Sequence, residues 1–494
     1  MEDLFQKELW LEFKEHILDI STKHLKELYQ EQNSLRKLEL GGINYDYSLN
    51  HFDQKTIIYL LKYAQSSKIP SFIDKLFSAK KLNLTEDRPV LHMALRNSNS
   101  DAAFNNDINI INDINNCKTR MAKLSESIRN GSLLSADGKK IKNIIHIGIG
   151  GSELGPKMLT TALAKLIPSD LHIAYLSNLD PDELEDITQR FNPSETIVVI
   201  ASKSFTTYET LINARAIKNW LGDDKRVAQQ CFAITENRAK ATEFGVSTTN
   251  ILPIWSWVGG RYSIWSAVSI TVAIAIGFDN FTKFLEGGQL VDEHVRSDNL
   301  VENIPLIMAL FDVMYVNIMS YPTRAIIPYS SSMKYFIDYI QQLMMESNGK
   351  SLNRDGQPVS YQTCPIIWGN IGTNSQHAFH QLLMQGTHQV PIDFIYAQNS
   401  NTQHQAQHEL FINQCKAQSK ALAFGNEYAK EHAVKYVKGN QPQNVIAMDS
   451  LTPANLGTLI AIYEYRTMFS GALWNINSFD QFGVELGKQI ALEM

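Results

Sequence analysis

The chain has few cysteines and lacks a long, uninterrupted apolar run. Its four cysteines, Cys117, Cys231, Cys364 and Cys415, lie far apart and form no Cys-x-x-Cys pair. This argues against a disulfide framework, a zinc ribbon and a thioredoxin-type centre, and it favours a reducing compartment, the cytoplasm. The longest charge-free apolar stretch, residues 262–278, is interrupted by four serines and threonines. We therefore expect it to be a buried helix rather than a membrane span.

The chain also lacks an excess of positive charge. It has 45 basic and 51 acidic residues, a formal net charge of −6, and no polybasic run. Nothing in it provides the electrostatic footprint of a nucleic-acid or membrane-surface binder. The first residues lack a basic start followed by an apolar stretch, so we expect no secretory signal. At 494 residues, 44% of them hydrophobic, the chain is expected to form two domains.

Short β-rich runs alternate with helical segments from residue 142 onward. The runs cover residues 143–149, 171–176, 196–201, 231–235, 325–328, 391–396 and 444–448. This alternation predicts parallel sheets covered by helices, in two successive α/β units. The first 130 residues are predicted mostly as helices, for instance at 8–30 and 55–65. The last segment, residues 452–492, is predicted as helix, loop and terminal helix.

A glycine-rich segment follows the first β-rich run. Residues 147–157 read Ile-Gly-Ile-Gly-Gly-Ser-Glu-Leu-Gly-Pro-Lys and open a helix, where free backbone N–H groups favour an anion such as phosphate. A dinucleotide fingerprint fails because Glu153 stands where glycine or alanine is needed, and a Walker loop fails because Pro156 interrupts it. The alternative is a glycine-rich turn that only lets the helix pack closely.

Four hydroxyl groups and a lysine follow another β-rich run. Residues 202–209 read Ser-Lys-Ser-Phe-Thr-Thr-Tyr-Glu, and Thr206 with Glu209 has the capping-box spacing of a helix start. Such hydroxyls suit the oxygens of a phosphate monoester. Helix capping alone needs only one or two of them.

Two further segments carry charged side chains among apolar residues. Arg261 follows two glycines in an aromatic stretch, so we expect it to meet an anion or a carboxylate; a structural ion pair is the alternative. Gln342 and Glu346 lie four residues apart on one helical face before an Asn-Gly turn. That position suits Glu346 as a general base, although most glutamates at helix ends are simply solvated.

Histidines occur in two places of interest. His377 follows a long polar loop, where it suits a proton shuttle, and a structural histidine is the alternative. His404 and His408 have the helical spacing of metal ligands, but Gln405 replaces the glutamate of the metalloprotease motif. We expect no metal there.

At these residues the chain resembles the phosphoglucose isomerase family. The resemblance runs from about residue 47 to the C-terminus. It includes residues 85–97 (Thr-Glu-Asp-Arg-Pro-Val-Leu-His-Met-Ala-Leu-Arg-Asn), the segments above, and residues 477–488 (Asn-Ser-Phe-Asp-Gln-Phe-Gly-Val-Glu-Leu-Gly-Lys).

The resemblance implies two doubly wound sugar-isomerase (SIS) α/β domains. Residues 131–285 would form the first, with the phosphate pocket, and residues 286–450 the second, with the base and the histidine. Residues 1–130 would be a helical arm packing on the second domain, and residues 451–494 a helical tail. The implied protein is a cytoplasmic, cofactor-free and metal-free homodimer. It would interconvert glucose 6-phosphate and fructose 6-phosphate in glycolysis and gluconeogenesis.

The resemblance also assigns roles to single residues. Glu346 would move the proton between C2 and C1 through a cis-enediol, His377 and Lys488 would open the sugar ring, and Arg261 would stabilise the enediolate. His377 would come from the neighbouring subunit. The substrate would be bound by Gly151, Ser152, Ser202, Lys203, Ser204, Thr207, Gly260, Gln342 and Gln481.

Three other functions compete with this hypothesis. One is a sugar-phosphate-binding regulator that has kept the pocket without turnover; the presence of Glu346, His377, Lys488 and Arg261 together argues against it. Another is an isomerase of a different phosphosugar, such as mannose 6-phosphate. A dehydrogenase fits worst, given the failed dinucleotide fingerprint. Departures from the usual family pattern include Ser256, Leu343-Met344 and Asn370, which lie near the proposed site residues.

Overall fold

The structure is a computed structural model that describes residues 8–31, 37–97, 108–426 and 433–493. Within these ranges the side chains of residues 108, 109, 488, 489, 491 and 492 are not described. The chain divides into two compact units. The first unit is formed by residues 77–80 and 88–286, and the second unit by the described parts of residues 1–76, 81–87 and 287–494.

Eleven strands and eighteen helices are found in the described residues. The strands are β1 (Lys37–Leu40), β2 (Ile43–Leu49), β3 (Asn143–Ile147), β4 (His172–Leu176), β5 (Thr196–Ala201), β6 (Cys231–Ile234), β7 (Ile251–Leu252), β8 (Thr323–Tyr329), β9 (Ile366–Gly369), β10 (Ile392–Asn399) and β11 (Gln443–Ser450). The helices are α1 (Glu8–Ile20), α2 (Leu25–Glu31), α3 (Gln54–Ser66), α4 (Ile69–Phe77), α5 (Ile108–Arg129), α6 (Leu154–Ala162), α7 (Pro181–Arg190), α8 (Tyr208–Leu221), α9 (Asp224–Gln230), α10 (Arg238–Phe244), α11 (Ile270–Ile276), α12 (Phe278–Val295), α13 (Ile304–Val313), α14 (Phe336–Gln341), α15 (His380–Gln385), α16 (Gln405–Phe424), α17 (Pro453–Leu473) and α18 (Glu485–Glu493).

The first unit contains a five-stranded parallel sheet. Its strand order is β4-β3-β5-β6-β7, and each neighbouring pair is parallel. Every residue of β3, β5 and β6 is buried. Apart from Asn143, His146 and Thr196, their residues are apolar, as expected for strands of a parallel sheet that is covered on both faces. The four runs predicted in this part of the chain are confirmed as β3 to β6.

The second unit contains a six-stranded mixed sheet. Its order is β1-β2-β11-β10-β8-β9; β8 to β11 are parallel, β2 is antiparallel to β11, and β1 is antiparallel to β2. The three runs predicted in this part are confirmed as β8, β10 and β11. The predicted α/β class with parallel sheets is therefore confirmed.

The two sheets share one strand order. In the first unit the chain places its second strand (β4) on one side of β3 and its later strands (β5, β6) on the other. In the second unit β9 lies on one side of β8, and β10 and β11 lie on the other. Both sheets thus have the order 2-1-3-4, whose reversal creates a crevice at the carboxyl ends of the first and third strands.

Some predicted elements differ from the observed ones. The mostly helical prediction for residues 1–130 missed β1 and β2, because neither reads as an apolar run: β1 pairs with β2, and β2 pairs with β11 about 400 positions later. The helix predicted over residues 8–30 is broken into α1 and α2. Residues 88–130 belong to the first unit, where Ser125 on α5 donates a hydrogen bond to the Ala273 carbonyl (2.6 Å). The predicted domain bounds otherwise remain a prediction.

The apolar stretch at residues 262–278 is buried, as expected, but only part of it is α-helix. Two 3₁₀ turns, Gly260–Trp265 and Ala267–Ser269, precede α11, in which every residue is buried. Across the described ranges, no helix combines the length and the apolar character needed to cross a membrane.

A buried network of two arginines and two aspartates joins four elements of the second unit. Arg466 on α17 contacts Asp312 on α13 (2.7 Å) and Asp393 on β10 (2.5 Å). Arg324 on β8 contacts the same two aspartates at 2.9 and 2.8 Å. All four residues are at most 1% exposed. Although burial acts in the opposite direction, Arg466 and Arg324 lower the pKa of Asp393 to about 2, so this carboxyl group stays ionised at neutral pH.

We predict that Arg466→Met destabilises the protein by about 3–5 kcal/mol, since it leaves Asp312 and Asp393 buried with one arginine between them. The control is Arg190→Met, which breaks an exposed pair with Asp186 and is expected to cost about 1 kcal/mol or less. Equilibrium urea unfolding followed by tryptophan fluorescence measures both. Similar losses for the two variants would contradict the importance of the network.

Candidate active site

The first unit brings its predicted phosphate-binding residues to the crevice of its sheet. The turn Gly150–Ser152 follows β3, and residues 202–207 follow β5, the neighbouring strand. Both segments therefore leave the sheet at the carboxyl ends of the strands where its order reverses. This is where open α/β sheets bind their ligands.

The glycine-rich turn lies directly against the segment that carries Arg261. A Cβ atom on Gly151 would lie 2.2 Å from the Gly260 carbonyl oxygen, so only glycine fits at this contact. The Ser263 hydroxyl donates a hydrogen bond to the Gly151 carbonyl (3.2 Å). The structure thus brings the turn with Gly151 and Ser152 against the segment with Gly260 and Arg261; the binding and catalytic roles of these residues stay predictions.

The hydroxyl-rich loop is fastened to the same segment. Lys203 Nζ donates hydrogen bonds to the carbonyls of Ser256 (2.9 Å) and Val258 (3.0 Å). The side chain at position 256, a departure from the family pattern, does not take part in these bonds. The Ser202 and Thr207 hydroxyls lie 3.2 Å apart, so two predicted phosphate contacts are neighbours.

The predicted cap of helix α8 is wrong by one residue. Thr207, not Thr206, is the N-cap residue, and its side chain makes no hydrogen bond to the helix. The Thr206 hydroxyl is instead 2.5 Å from that of Ser204. The N-terminus of this 14-residue helix is therefore available to polarise an anion held by the loop.

Arg261 lies buried on a stack of aromatic rings. It is 1% exposed, and its guanidinium carbon lies 5.4 Å from the centre of the Tyr262 ring. Tyr262 stacks on His92, with ring centres 4.7 Å apart. Burial, and then the nearby Arg96, hold the pKa of His92 well below its usual value, so the platform under Arg261 stays neutral. Such a fixed cation suits a developing oxyanion.

In the second unit, Gln342 and Glu346 lie on a π-helical turn. Residues Gln342–Glu346 continue α14 with the wider hydrogen-bond spacing that often marks functional sites. Gln342 Nε2 donates a hydrogen bond to Glu346 Oε2 (2.7 Å), which agrees with the shared face predicted from their spacing. Leu343 and Met344, which depart from the family pattern, are at most 1% exposed and belong to the core beneath the turn.

Glu346 lines a cavity of about 430 Å³ within the second unit. Gln481, a predicted sugar contact, lies in the same wall. The other polar lining residues are Thr85, Lys350, Ser351, Asn353, Arg354, Asn477 and Asp480. Burial lowers the pKa of Arg354 to about 10, which leaves it charged at neutral pH. The cavity therefore combines a carboxylate with several hydrogen-bonding groups.

Asp480 holds this wall together, and the sequence reasoning missed it. Its side chain contacts Lys350 Nζ (2.6 Å) and accepts hydrogen bonds from Thr85 (2.6 Å) and Asn477 (2.8 Å). Lys350 stands four residues after Glu346, and Asp480 directly precedes Gln481. The ion pair thus ties the segment of the candidate base to that of a candidate sugar contact. The available signal was the position of each charge, Lys350 directly after the Asn-Gly turn and Asp480 directly before Gln481.

His377 is not among the described residues that line this cavity with Glu346. It is exposed at the end of a 3₁₀ turn, Asn374–His377, that follows β9. Its loop is held by Ser375, whose hydroxyl is 3.2 Å from His380 Nε2. Lys488 lies on α18, and its side chain is outside the described part of the chain.

The two histidines with metal-ligand spacing do not form a metal site in the described residues. His404 precedes α16, and His408 Nε2 lies 3.2 Å from the Gln398 carbonyl. Across the described ranges, no group of three or more histidines, cysteines and acids is placed to hold a metal ion.

Comparison with known proteins then identifies the family. A sequence model of phosphoglucose isomerase matches residues 46–494. The chain belongs to the phosphoglucose isomerase family. The glucose-6-phosphate isomerase of Buchnera aphidicola is 41% identical over 97% of this chain and 92% of its own length. Glucose-6-phosphate isomerase 1 of Neisseria meningitidis is 38% identical over 99% and 94%.

A solved structure supports the same assignment. The crystal structure of a glucose-6-phosphate isomerase from Chlamydia trachomatis is 31% identical, covers 100% of this chain and 96% of its own, and superposes with a TM-score of 0.87. The region matched by the family, residues 46–494, contains every candidate site residue named above.

We predict that Asp480→Asn lowers kcat/KM about tenfold or more, because it releases Lys350 and loosens the wall that carries Glu346 and Gln481; ~1.4 kcal/mol of lost positioning corresponds to a factor of ten. The control is Asp355→Asn, an exposed aspartate next to Arg354, which should leave kcat/KM unchanged. Steady-state kinetics with fructose 6-phosphate measures both. An unchanged kcat/KM in Asp480→Asn would show that the ion pair does not position the site.

Proposed function

We propose that the protein interconverts glucose 6-phosphate and fructose 6-phosphate, with Glu346 as the base that moves the proton. The observation that carries the proposal is the hydrogen bond from Gln342 to Glu346 at a cavity that Gln481 also lines. Membership of the phosphoglucose isomerase family gives the reaction, an aldose–ketose isomerisation that serves glycolysis and gluconeogenesis.

The reaction requires ring opening before isomerisation. We assign the proton donor to the ring oxygen to His377 and the acceptor at the anomeric hydroxyl to Lys488, following the family resemblance. Opening of the ring breaks the C1–O5 bond and leaves an aldehyde at C1 and a hydroxyl at C5. The aldehyde acidifies the proton on C2, which the next step removes.

The isomerisation itself moves one proton between carbons. Glu346 takes the proton from C2, and the electron pair forms the C1–C2 double bond of a cis-enediol as the O1 oxygen gains a proton. The O2 hydroxyl then loses its proton, C2 becomes the ketone, and Glu346 returns its proton to C1. Arg261 stabilises the negative charge that develops on the oxygens. Gln342 holds one carboxylate oxygen of Glu346 in place, and the other oxygen accepts the C2 proton.

The phosphate group is assigned to the first unit. Ser152, Ser202, Ser204 and Thr207 supply hydroxyl groups, and Lys203 supplies positive charge close to the N-terminus of α8. Gly151 and Gly260 allow the backbone to come close. Holding a remote phosphate in this way directs binding energy into the orientation of the reacting carbons.

We further propose that the active form is a homodimer in which His377 completes the site of the partner subunit. The exposed position of His377, away from the cavity lined by Glu346, supports this assignment. A cytoplasmic location and independence of metals and cofactors are part of the same proposal, drawn from the sequence.

The variant Glu346→Gln tests the assignment of the base. The amide has the size of the carboxylate but cannot accept the C2 proton, so kcat should fall by about 10²- to 10⁴-fold, while the affinity for sugar phosphate stays within about threefold. The control is Glu409→Gln on α16, an exposed glutamate, which should retain full turnover. Turnover of Glu346→Gln close to that of the unmodified protein would remove Glu346 as the base.

A further inference from the structure

A histidine without an assigned role lies directly beneath the phosphate-binding turn. His146 is the fourth residue of β3 and is 0% exposed. Its Nε2 atom lies 2.7 Å from the carbonyl oxygen of Ser152, and its Nδ1 atom lies 2.8 Å from the hydroxyl of Thr271. A polar ring in the middle of a buried strand is costly unless both nitrogens are satisfied, as they are here.

The chemistry of the two partners determines where the ring proton lies. A carbonyl oxygen only accepts hydrogen bonds, so Nε2 must carry the hydrogen. Burial lowers the pKa of His146 to about 4, and the ring is therefore neutral at neutral pH. Nδ1 is then an acceptor, and Thr271 must donate its hydroxyl hydrogen to it. Donation runs in one direction, from Thr271 through His146 to Ser152.

This chain of hydrogen bonds connects the turn to the core of the first unit. Thr271 is 0% exposed on α11, all of whose residues are buried. The turn itself contains glycines at positions 148, 150 and 151, which give its backbone little conformational preference of its own. The peptide group after Ser152 is held at both ends: its N–H, that of Glu153, donates to the Gly150 carbonyl (3.0 Å), and its carbonyl oxygen is bound by His146 from the core (2.7 Å).

We propose that His146 is a positioning residue for the phosphate of the substrate: it holds the Ser152 carbonyl toward the core, so that the turn presents its N–H groups and the Ser152 hydroxyl to the phosphate. If the Ser152 carbonyl turned toward the ligand, its negatively polarised oxygen would repel the phosphate dianion. The inference rests on the proposed function, since it takes Gly151 and Ser152 as phosphate contacts.

The test compares two substitutions at position 146. His146→Met removes the donor, whereas His146→Gln retains an N–H group near the position of Nε2. We expect His146→Met to raise the KM for fructose 6-phosphate and the inhibition constant of inorganic phosphate in parallel, each about tenfold. We expect kcat to stay within about twofold, because the other proposed phosphate contacts, at residues 202–207, still orient the bound sugar. His146→Gln should restore both constants to within about threefold.

His172→Met is the matched control. His172 is exposed on β4, the strand beside β3, and its replacement should change neither constant. Unchanged constants in His146→Met would overturn the proposal, as would a fall in kcat with an unchanged KM. Failure of His146→Gln to rescue would also overturn it. A separate outcome concerns the proposed function itself. If inorganic phosphate does not compete with the substrate in the unmodified protein, the proposed phosphate pocket is wrong, whatever the His146 variants show.

A measurement on the unmodified protein covers the case in which His146→Met does not fold. In protein labelled with ¹⁵N-histidine, the His146 signals, identified by their absence in His146→Gln, should show the neutral Nε2–H form from pH 8 down to pH 5. A protonated ring at pH 6, or the Nδ1–H form, would overturn the proposed direction of donation. The observed Nε2–H form would support it.

Discussion

The arrangement of the second unit depends on its buried ion-pair network. Arg324 and Asp393 lie on β8 and β10, the two strands at which the order of the sheet reverses, and Arg466 lies on α17. The network is closed by Tyr463 and Asn444, which donate hydrogen bonds to Asp393 (2.9 and 2.7 Å). Four buried charges are tolerated when each is paired, and their pairing then specifies one arrangement of the strands and the helix. Removal of one charged side chain leaves the others buried without compensation.

The same helix places the candidate base. Next to Arg466, the Thr467 carbonyl on α17 accepts a hydrogen bond from Asn348 (2.8 Å), and Ser478 donates to the other side of that amide (2.6 Å). Asn348 stands two residues after Glu346. The position of the base thus follows from a helix that the charge network holds in the core. In the first unit, the buried His146 is bonded to the turn after β3. The same strand order in both units thus carries the proposed phosphate contacts in one and the proposed base in the other, because the loops differ.

The sequence predicts the parts of this structure that depend on local composition. Buried parallel strands appear as continuous apolar runs, so seven strands could be located before the structure was known. β2 could not, because its pairing with β11 is a long-range contact, and β1 could not, because it pairs with β2 at the edge of the sheet. β7 has only two residues, too few to form a pattern, and β9 is an edge strand in which only one of four residues is buried. The candidate site followed from motifs, but Asp480 did not, since its partner Lys350 lies 130 positions away. His146 was missed because a histidine within an apolar strand has no spacing that marks it.

The most direct test of the account follows deuterium during the reaction. The purified full-length protein, treated with a chelator, is incubated with glucose 6-phosphate in D₂O, and proton NMR records fructose 6-phosphate together with the signals at C2 and C1. Proton transfer through an enediol predicts fructose 6-phosphate with solvent deuterium at C1, and deuterium at C2 of the glucose 6-phosphate that re-forms. The account would be contradicted if many turnovers left no deuterium at C1 of fructose 6-phosphate and none at C2 of glucose 6-phosphate. It would also be contradicted by folded protein that binds the sugar phosphate and forms no product.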